Sequence, residues 1–183
     1  MPKRFTFPTT GFSCLLSSHQ CEATNRNGHR CRRRTVIGVG LCWNHLFSIK
    51  HLRIKESGVE NSGLGLFAMN SAMPENAIVF KKGEMIIEYG GEDIDIDELN
   101  NRYQDRTAPY GVQKKKDSTY NDSACMRGIG SNANTQVGKQ NARLGIGAGD
   151  IVKVYATKNI RNNTEIFLAY GNSYNKFEEH VTR

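Results

Sequence analysis

The chain has 183 residues, 38% hydrophobic and 23% charged. That is the composition of one folded domain with room for a small appendage, and it excludes a fibrous chain, a disordered chain or two full-sized domains. The net charge of +7 is unevenly spread: residues 1–55 carry ten Lys/Arg against one acid, Glu22, for +9, and the remainder carries 15 against 17, for −2. No apolar run approaches the roughly 20 residues that span a bilayer. Met1-Pro2-Lys3-Arg4 leads into no apolar stretch of a secretory leader, so the sequence predicts an intracellular protein that does not enter a membrane.

Cys14, Cys21, Cys31 and Cys42 crowd into the first quarter, and Cys125 stands apart. An odd count in an intracellular chain argues against a disulfide framework and for metal. Cys21, Cys31, Cys42 and His45, separated by nine, ten and two residues, form a four-ligand set for structural zinc. Cys14, His19 and His29 rank behind them as substitute ligands, and reduced, buried thiols are the bland alternative. Residues 1–50 therefore read as a basic, zinc-knuckle-like module, too short to bury a core of its own and dependent on metal for its stability. Arg30, Arg32, Arg33 and Arg34 flank Cys31, an arrangement that holds a phosphate backbone without reading sequence.

From residue 51 the texture becomes mainly β, and 51–183 is predicted as the principal domain with a short C-terminal tail. Strands are expected at 51–55, 64–69, 85–89, 151–156 and 166–170, each rich in β-branched or aromatic residues and bounded by turn formers. Ile94–Tyr103 has helical spacing, with Ile96, Leu99 and Tyr103 on one face. Ser62-Gly63-Leu64-Gly65 carries a G-x-G turn whose backbone a ligand can approach closely, although taken alone it reads first as a plain β-turn. The acidic stretch Glu92, Asp93, Asp95, Asp97, Glu98 suits a basic ligand. The long polar loops at 104–119 and 131–142 mark places where function concentrates.

Taken in order, Ser62–Ala68, Ile86–Glu92, Tyr120–Asp122, Ala133–Thr135, Asn141–Arg143 and Glu165–Gly171 resemble the SET domain of protein-lysine methyltransferases over about residues 51–176. The brevity and the Tyr-Gly-x-x-Tyr ending at Tyr170–Tyr174 are most similar to the minimal SET proteins of large DNA viruses. The resemblance implies small β-sheets around a pseudoknot-like thread, with S-adenosylmethionine on one face and a basic peptide on the other. The two meet through a narrow lysine channel. It further implies a histone tail as substrate and a nuclear location, in a host nucleus or virion for a viral protein. Oligomeric state stays open, a homodimer included.

Carried over residue by residue, Ser62, Gly63, Leu64 and Gly65 become backbone contacts to the cofactor. Asn134, twelve residues after Asp122, becomes the cofactor-contacting amide, with Asn132 as a competing register. Thr135 stands where most of the family has His. Tyr170 matches the active-site tyrosine and Tyr110 is a second channel wall, or else a core aromatic. Tyr174, with Phe177, would cover the cofactor or channel mouth in place of a cysteine-rich cluster, or merely dock the C-terminus. Leu168 stands where the family commonly has Phe or Tyr and sets product specificity; lacking a hydroxyl, it leaves room for di- or trimethylation. Asn141 matches the second Asn of the thread. The alternative is a catalytically silent SET-like fold that binds chromatin or nucleic acid through its basic module.

Overall fold

The computed structural model describes residues 3–7, 10–35, 39–104, 108–114 and 119–169. Among them lie thirteen short strands in five small sheets and two eight-residue α-helices. No helix among the described residues is long and apolar enough to cross a membrane.

An N-terminal hairpin, β1 (Lys3–Thr6) and β2 (Ser13–Leu16), opens the chain. It is followed by the Cys/His segment and α1 (Trp43–Lys50). β3 (Leu52–Glu56) alternates Leu52 and Ile54 inward, as a half-buried strand should, and pairs antiparallel with β4 (Leu64–Ala68). β4 is the middle strand, with β13 (Thr164–Glu165) on its other edge, and it is buried along Gly65–Ala68. A second three-stranded sheet joins β10 (Ala142–Ile146), β11 (Val152–Ala156) and β6 (Met85–Glu88), and a two-stranded one joins β12 (Ile160–Arg161) to β5 (Ile78–Phe80). The last sheet, β7 (Glu92–Ile94), β9 (Tyr120–Asp122) and β8 (Gly111–Gln113), encloses α2 (Ile96–Tyr103) in sequence.

Leu52, Ile54, Leu66, Ile87, Val154 and Leu168 belong to one main core, which Val39 and Leu46 of the N-terminal segment enter. The main core therefore holds part of that segment by itself. A second cluster forms where Phe7 of the hairpin meets Tyr103 and Ala124, with Phe5, Phe12 and Tyr110 packed around it.

Two expected elements are altered. The helix begins at Ile96 rather than Ile94 because Ile94 ends β7 and the Asp95 carboxylate accepts the Glu98 N–H at 2.8 Å as an N-cap. Ile96 stays partly exposed, and the buried side of α2 is Arg102 and Tyr103. Residues 166–169 do not form the expected strand. The segment instead passes between two neighbours, bridging in parallel from Phe167 to Asn134 and from Leu168 to Ala142. The Ile166 N–H goes to Leu66 O, Leu168 N–H to Asn134 O and Ala169 N–H to Ala142 O. With its partners changing at each step, no single ladder persists.

Candidate functional site

The G-x-G turn enters β4 with Gly63 at φ +66°, a left-handed conformation that glycine adopts without steric cost. Its carbonyl accepts the Ser57 N–H at 2.8 Å, and Leu64 is 53% exposed. Gly65 is buried for a different reason: a Cβ there would lie 2.2 Å from Glu165 Oε1 and 3.2 Å from Asn134 Nδ2. Glu165, 7% exposed, accepts hydrogen bonds from Ser57 Oγ at 2.7 Å, Gly58 N at 2.9 Å and Asn134 Nδ2 at 3.4 Å. The Asn134 amide also donates to Leu64 O at 3.0 Å. Segments some 70 and 100 residues apart therefore meet at one point. Sequence reasoning quotes Glu165 in its last motif without giving it a role, yet it is the group on which the others converge.

Asn132 and Asn134 are separated by the same geometry. The Asn132 amide donates to Gly128 O and Ile129 O within its own 3₁₀ turn, whereas Asn134 touches the G-x-G turn. Thr135 is buried beside Asn134, and its hydroxyl has no hydrogen-bond partner among the described residues. The exposed turn at Gly63–Leu64, held to Asn134, and the orphaned hydroxyl of the next residue along the chain fit a polar ligand such as S-adenosylmethionine. Asn141 holds the thread from both ends of its amide: Nδ2 donates to Glu165 O at 2.8 Å and Oδ1 accepts from Phe167 N at 2.9 Å. Leu168 is fully buried and donates its N–H to Asn134 O. Tyr170, Tyr174 and Phe177 lie outside the described residues.

Tyr110 sits in an aromatic group further along the fold. Its hydroxyl accepts from Arg127 Nη2 at 2.8 Å, its carbonyl accepts from the Tyr89 hydroxyl at 3.4 Å, and its ring meets Phe5 edge-on at 5.4 Å. Tyr89 is nearly fully buried, and burial, with the neighbouring Tyr110 and Asp122, pushes its phenol well above the ordinary range. Asp122, wholly buried, accepts from Tyr103 Oη at 3.0 Å and Arg102 Nη1 at 2.9 Å. Burial and that carboxylate raise the Tyr103 phenol in turn. Both tyrosines are therefore neutral donors at any physiological pH.

The acidic stretch has an internal purpose that its composition does not reveal. Glu92 and Glu98 pair with Arg102 at 2.7 and 2.6 Å, Asp93 pairs with Lys114 at 2.7 Å, and Asp95 caps α2. The hydrogen bond from Arg102 holds the Glu98 carboxyl below its usual range, and that from Lys114 does the same for Asp93. Only Asp97 of the five has none of these engagements, so the stretch offers a basic ligand far less charge than its sequence suggests.

The four predicted metal ligands do come together. Cys21 and Cys31 face each other because the nine residues between them make a complete hairpin. Bridges Gln20–Arg34 and Thr24–Arg30 close it, and its tip is held by the Asn25 side chain accepting the N–H groups of Asn27 and His29. Cys42 is the N-cap residue of α1 and His45 lies on its first turn, so C-x-x-H presents both to one side. The ligand atoms lie within 4.8 Å of one another, with Cys31 Sγ 4.0 Å from Cys42 Sγ and His45 Nδ1 3.4 Å from both Cys21 Sγ and Cys42 Sγ. Zn–S bonds of about 2.3 Å at tetrahedral angles hold sulfurs about 3.8 Å apart, so the set is compatible with zinc. Backbone N–H groups of Cys42 and Arg33 point at Cys21 Sγ and Cys31 Sγ, as they do around metal thiolates. His19 and His29 stand outside this set, and so does Cys14. Cys14 is joined to Cys125 in a disulfide, with Cα atoms 5.7 Å apart, against the expectation of none.

No family model matches the sequence, and no curated protein matches it. Among solved structures, the chain is similar to a crystal structure of the polycomb repressive complex 2 (PRC2) of Chaetomium thermophilum, at 26% identity and TM-score 0.55, covering 67% of this chain. It is also similar to the same fungal complex with H3K27me3 and H3K27M, at 23% identity, TM-score 0.55 and 80% coverage. A further match is that complex in an autoinhibited conformation bound to S-adenosylmethionine, at 21% identity, TM-score 0.54 and 85% coverage. The chain spans 15%, 16% and 19% of those much longer chains. The mainly β architecture of small sheets with a nearby Cys/His cluster is structurally similar to that of SET domains.

Proposed function

We propose that this protein is an S-adenosylmethionine-dependent protein-lysine N-methyltransferase that acts on a basic tail, a histone in the first instance, at chromatin in a nucleus. The observation that carries the reading is the convergence of the Gly63–Gly65 turn, Asn134 and the 166–168 thread on Glu165. That junction has the exposed backbone and the orphaned Thr135 hydroxyl that a polar cofactor requires. Further support comes from the fungal complexes, one bound to S-adenosylmethionine and another in complex with H3K27me3 and H3K27M.

On this reading the cofactor supplies an electrophilic methyl group, and the chain's own residues do the rest. Ser62–Gly65 and Asn134 hold it, while Leu168 helps keep the site dry. Tyr170, two residues after Leu168 in the sequence, would orient the incoming amine with its hydroxyl, and Tyr174 would cover the site. A free lysine with pKa about 10.4 is almost wholly protonated at neutral pH. Desolvation in an aromatic channel lowers that value and frees the lone pair. Holding amine and methyl in line at about 3–3.5 Å then removes several kcal/mol of barrier. The Cys21, Cys31, Cys42, His45 set would hold one structural zinc.

The test is incubation of labelled S-adenosylmethionine with core histones, comparing wild type and Tyr170→Phe. Label on lysine that falls at least tenfold in the variant is the expected result. Cofactor binding by calorimetry without transfer to any basic protein would make the chain a silent SET-like binder. Because Leu168 lacks a hydroxyl, the product should progress beyond one methyl group; mass spectra that stay monomethylated with excess cofactor at long times would overturn that part.

A further inference from the structure

The ion pairs among the described residues run from Arg102 to Glu92, Glu98 and Asp122 and from Lys114 to Asp93 and Asp150. None involves a cation of the first 55 residues, which hold ten Lys/Arg and one acid. That acid, Glu22, lies with its carboxyl against Gly40. The first 55 residues thus carry a net charge of +9 that no carboxylate among the described residues pairs with, beside a remainder at −2.

The arginines nearest the Cys/His set are held in a particular way. Arg30 donates from Nε to Cys21 O at 3.1 Å and from Nη2 to Gln20 O at 3.0 Å, and Arg34 donates to Ser18 O. These acceptors are backbone carbonyls. They orient a guanidinium without neutralising it, so the charge and the remaining N–H donors stay available to a second partner. Between them, Arg32 and Arg33 are exposed and make no side-chain hydrogen bond or ion pair among the described residues. Their backbone is fixed all the same: Arg33 N–H points at Cys31 Sγ, and Arg33 O accepts the Cys21 N–H at 2.9 Å. The Arg30 and Arg34 guanidinium groups and the Arg33 backbone have therefore lost much of their freedom before anything binds, while the Arg32 and Arg33 side chains stay free to reach a partner.

From this we infer that the Arg30–Arg34 edge of the Cys/His segment is a sequence-independent docking surface for the phosphate backbone of nucleic acid. Planar guanidinium forks match phosphate oxygens. Arginines along the edge of a small hairpin grip the backbone rather than reading bases. The surface requires neither cofactor nor lysine substrate, so it stands or falls separately from methyl transfer.

The full chain should be titrated by fluorescence anisotropy against a labelled 20-base-pair DNA duplex, and against the matching single strand, between about 50 and 200 mM salt. For three or four engaged phosphates, log K for the duplex should fall with log salt at a slope of about −3 to −4. Arg32→Ala/Arg33→Ala should reduce the slope by about 2 and weaken binding on the order of tenfold at the lowest salt, with unchanged metal content and melting temperature. Single-strand binding should have the shallower slope, about −0.7 per phosphate. The proposal fails if the double variant binds like wild type, if binding ignores salt, or if poly-glutamate competes as well, per charge, as unlabelled duplex. The last result would assign the edge to acidic proteins.

Discussion

At the scale of single residues, the Glu165 carboxylate decides the shape of the candidate cofactor site. Three donors from two distant segments end on it, and Gly65 is pressed so close that only a residue without Cβ fits. Glu165→Ala leaves those donors unpaired in a largely buried spot, at a cost of about 2–3 kcal/mol in stability. Affinity for S-adenosylmethionine should fall with it, because the turn loses the anchor that orients Leu64 and Asn134. Gly65→Ala should cost about 1–3 kcal/mol by forcing the carboxylate aside. The two changes should not add: in Glu165→Ala the collision partner is gone, and the second substitution becomes nearly neutral. Denaturant unfolding of both single variants and the double variant measures the coupling. Additive losses would mean that the carboxylate and the turn are not in contact.

At the scale of elements, local chemistry was legible where the residues that share an element are close in sequence. Four of the five expected strands are present because alternating or buried β-branched runs declare themselves, as at Leu52–Glu56 and Val152–Ala156. The Cys/His set was legible from composition, although the reason for its spacing, a hairpin between Cys21 and Cys31, was not. The fifth strand was misread because 166–169 takes its hydrogen bonds from three other segments, and no property of its own sequence names them. The acidic 92–98 stretch looked like a docking surface because its counter-charges, Arg102 and Lys114, come from positions that composition alone cannot pair. For the Cys/His element the expected outcome is about one zinc per chain by elemental analysis, lost in Cys31→Ser. Because Val39 and Leu46 remain in the main core, chelation should melt the Cys21–Thr35 hairpin first and leave the sheets folded. Hydrogen exchange shows this directly: a chelator that unfolds the whole chain in one step would mean that metal and core are a single cooperative unit.

At the scale of the whole molecule, the N-terminal hairpin is tied to the far side of the fold by ring contacts, by the Thr10 hydroxyl donating to Arg102 O at 2.7 Å, and by a disulfide. Aromatic contacts join Phe5 to Tyr110, and Phe7 and Phe12 to Tyr103, while the Cys14–Cys125 disulfide spans 111 residues of sequence. A cross-link over so long a loop removes much of the freedom of the unfolded chain and contributes about 2–4 kcal/mol. In a chain of this size that corresponds to about 4–16 °C in Tm. Glutathione and thioredoxin in a reducing compartment act against such a bond, leaving the hairpin to its ring contacts and the Thr10–Arg102 hydrogen bond. Reduction by a dithiol, or Cys14→Ser, should therefore lower Tm by that amount and open residues 3–16 to protease, while the main sheets stay protected. The reduced chain and the variant must behave alike, since both remove the same link; metal content measured alongside shows that Cys21, Cys31 and Cys42 are still occupied. Equal proteolysis with and without dithiol would show that Phe5, Phe7 and Phe12 suffice, and that the sulfur bridge adds nothing to the docking of the hairpin.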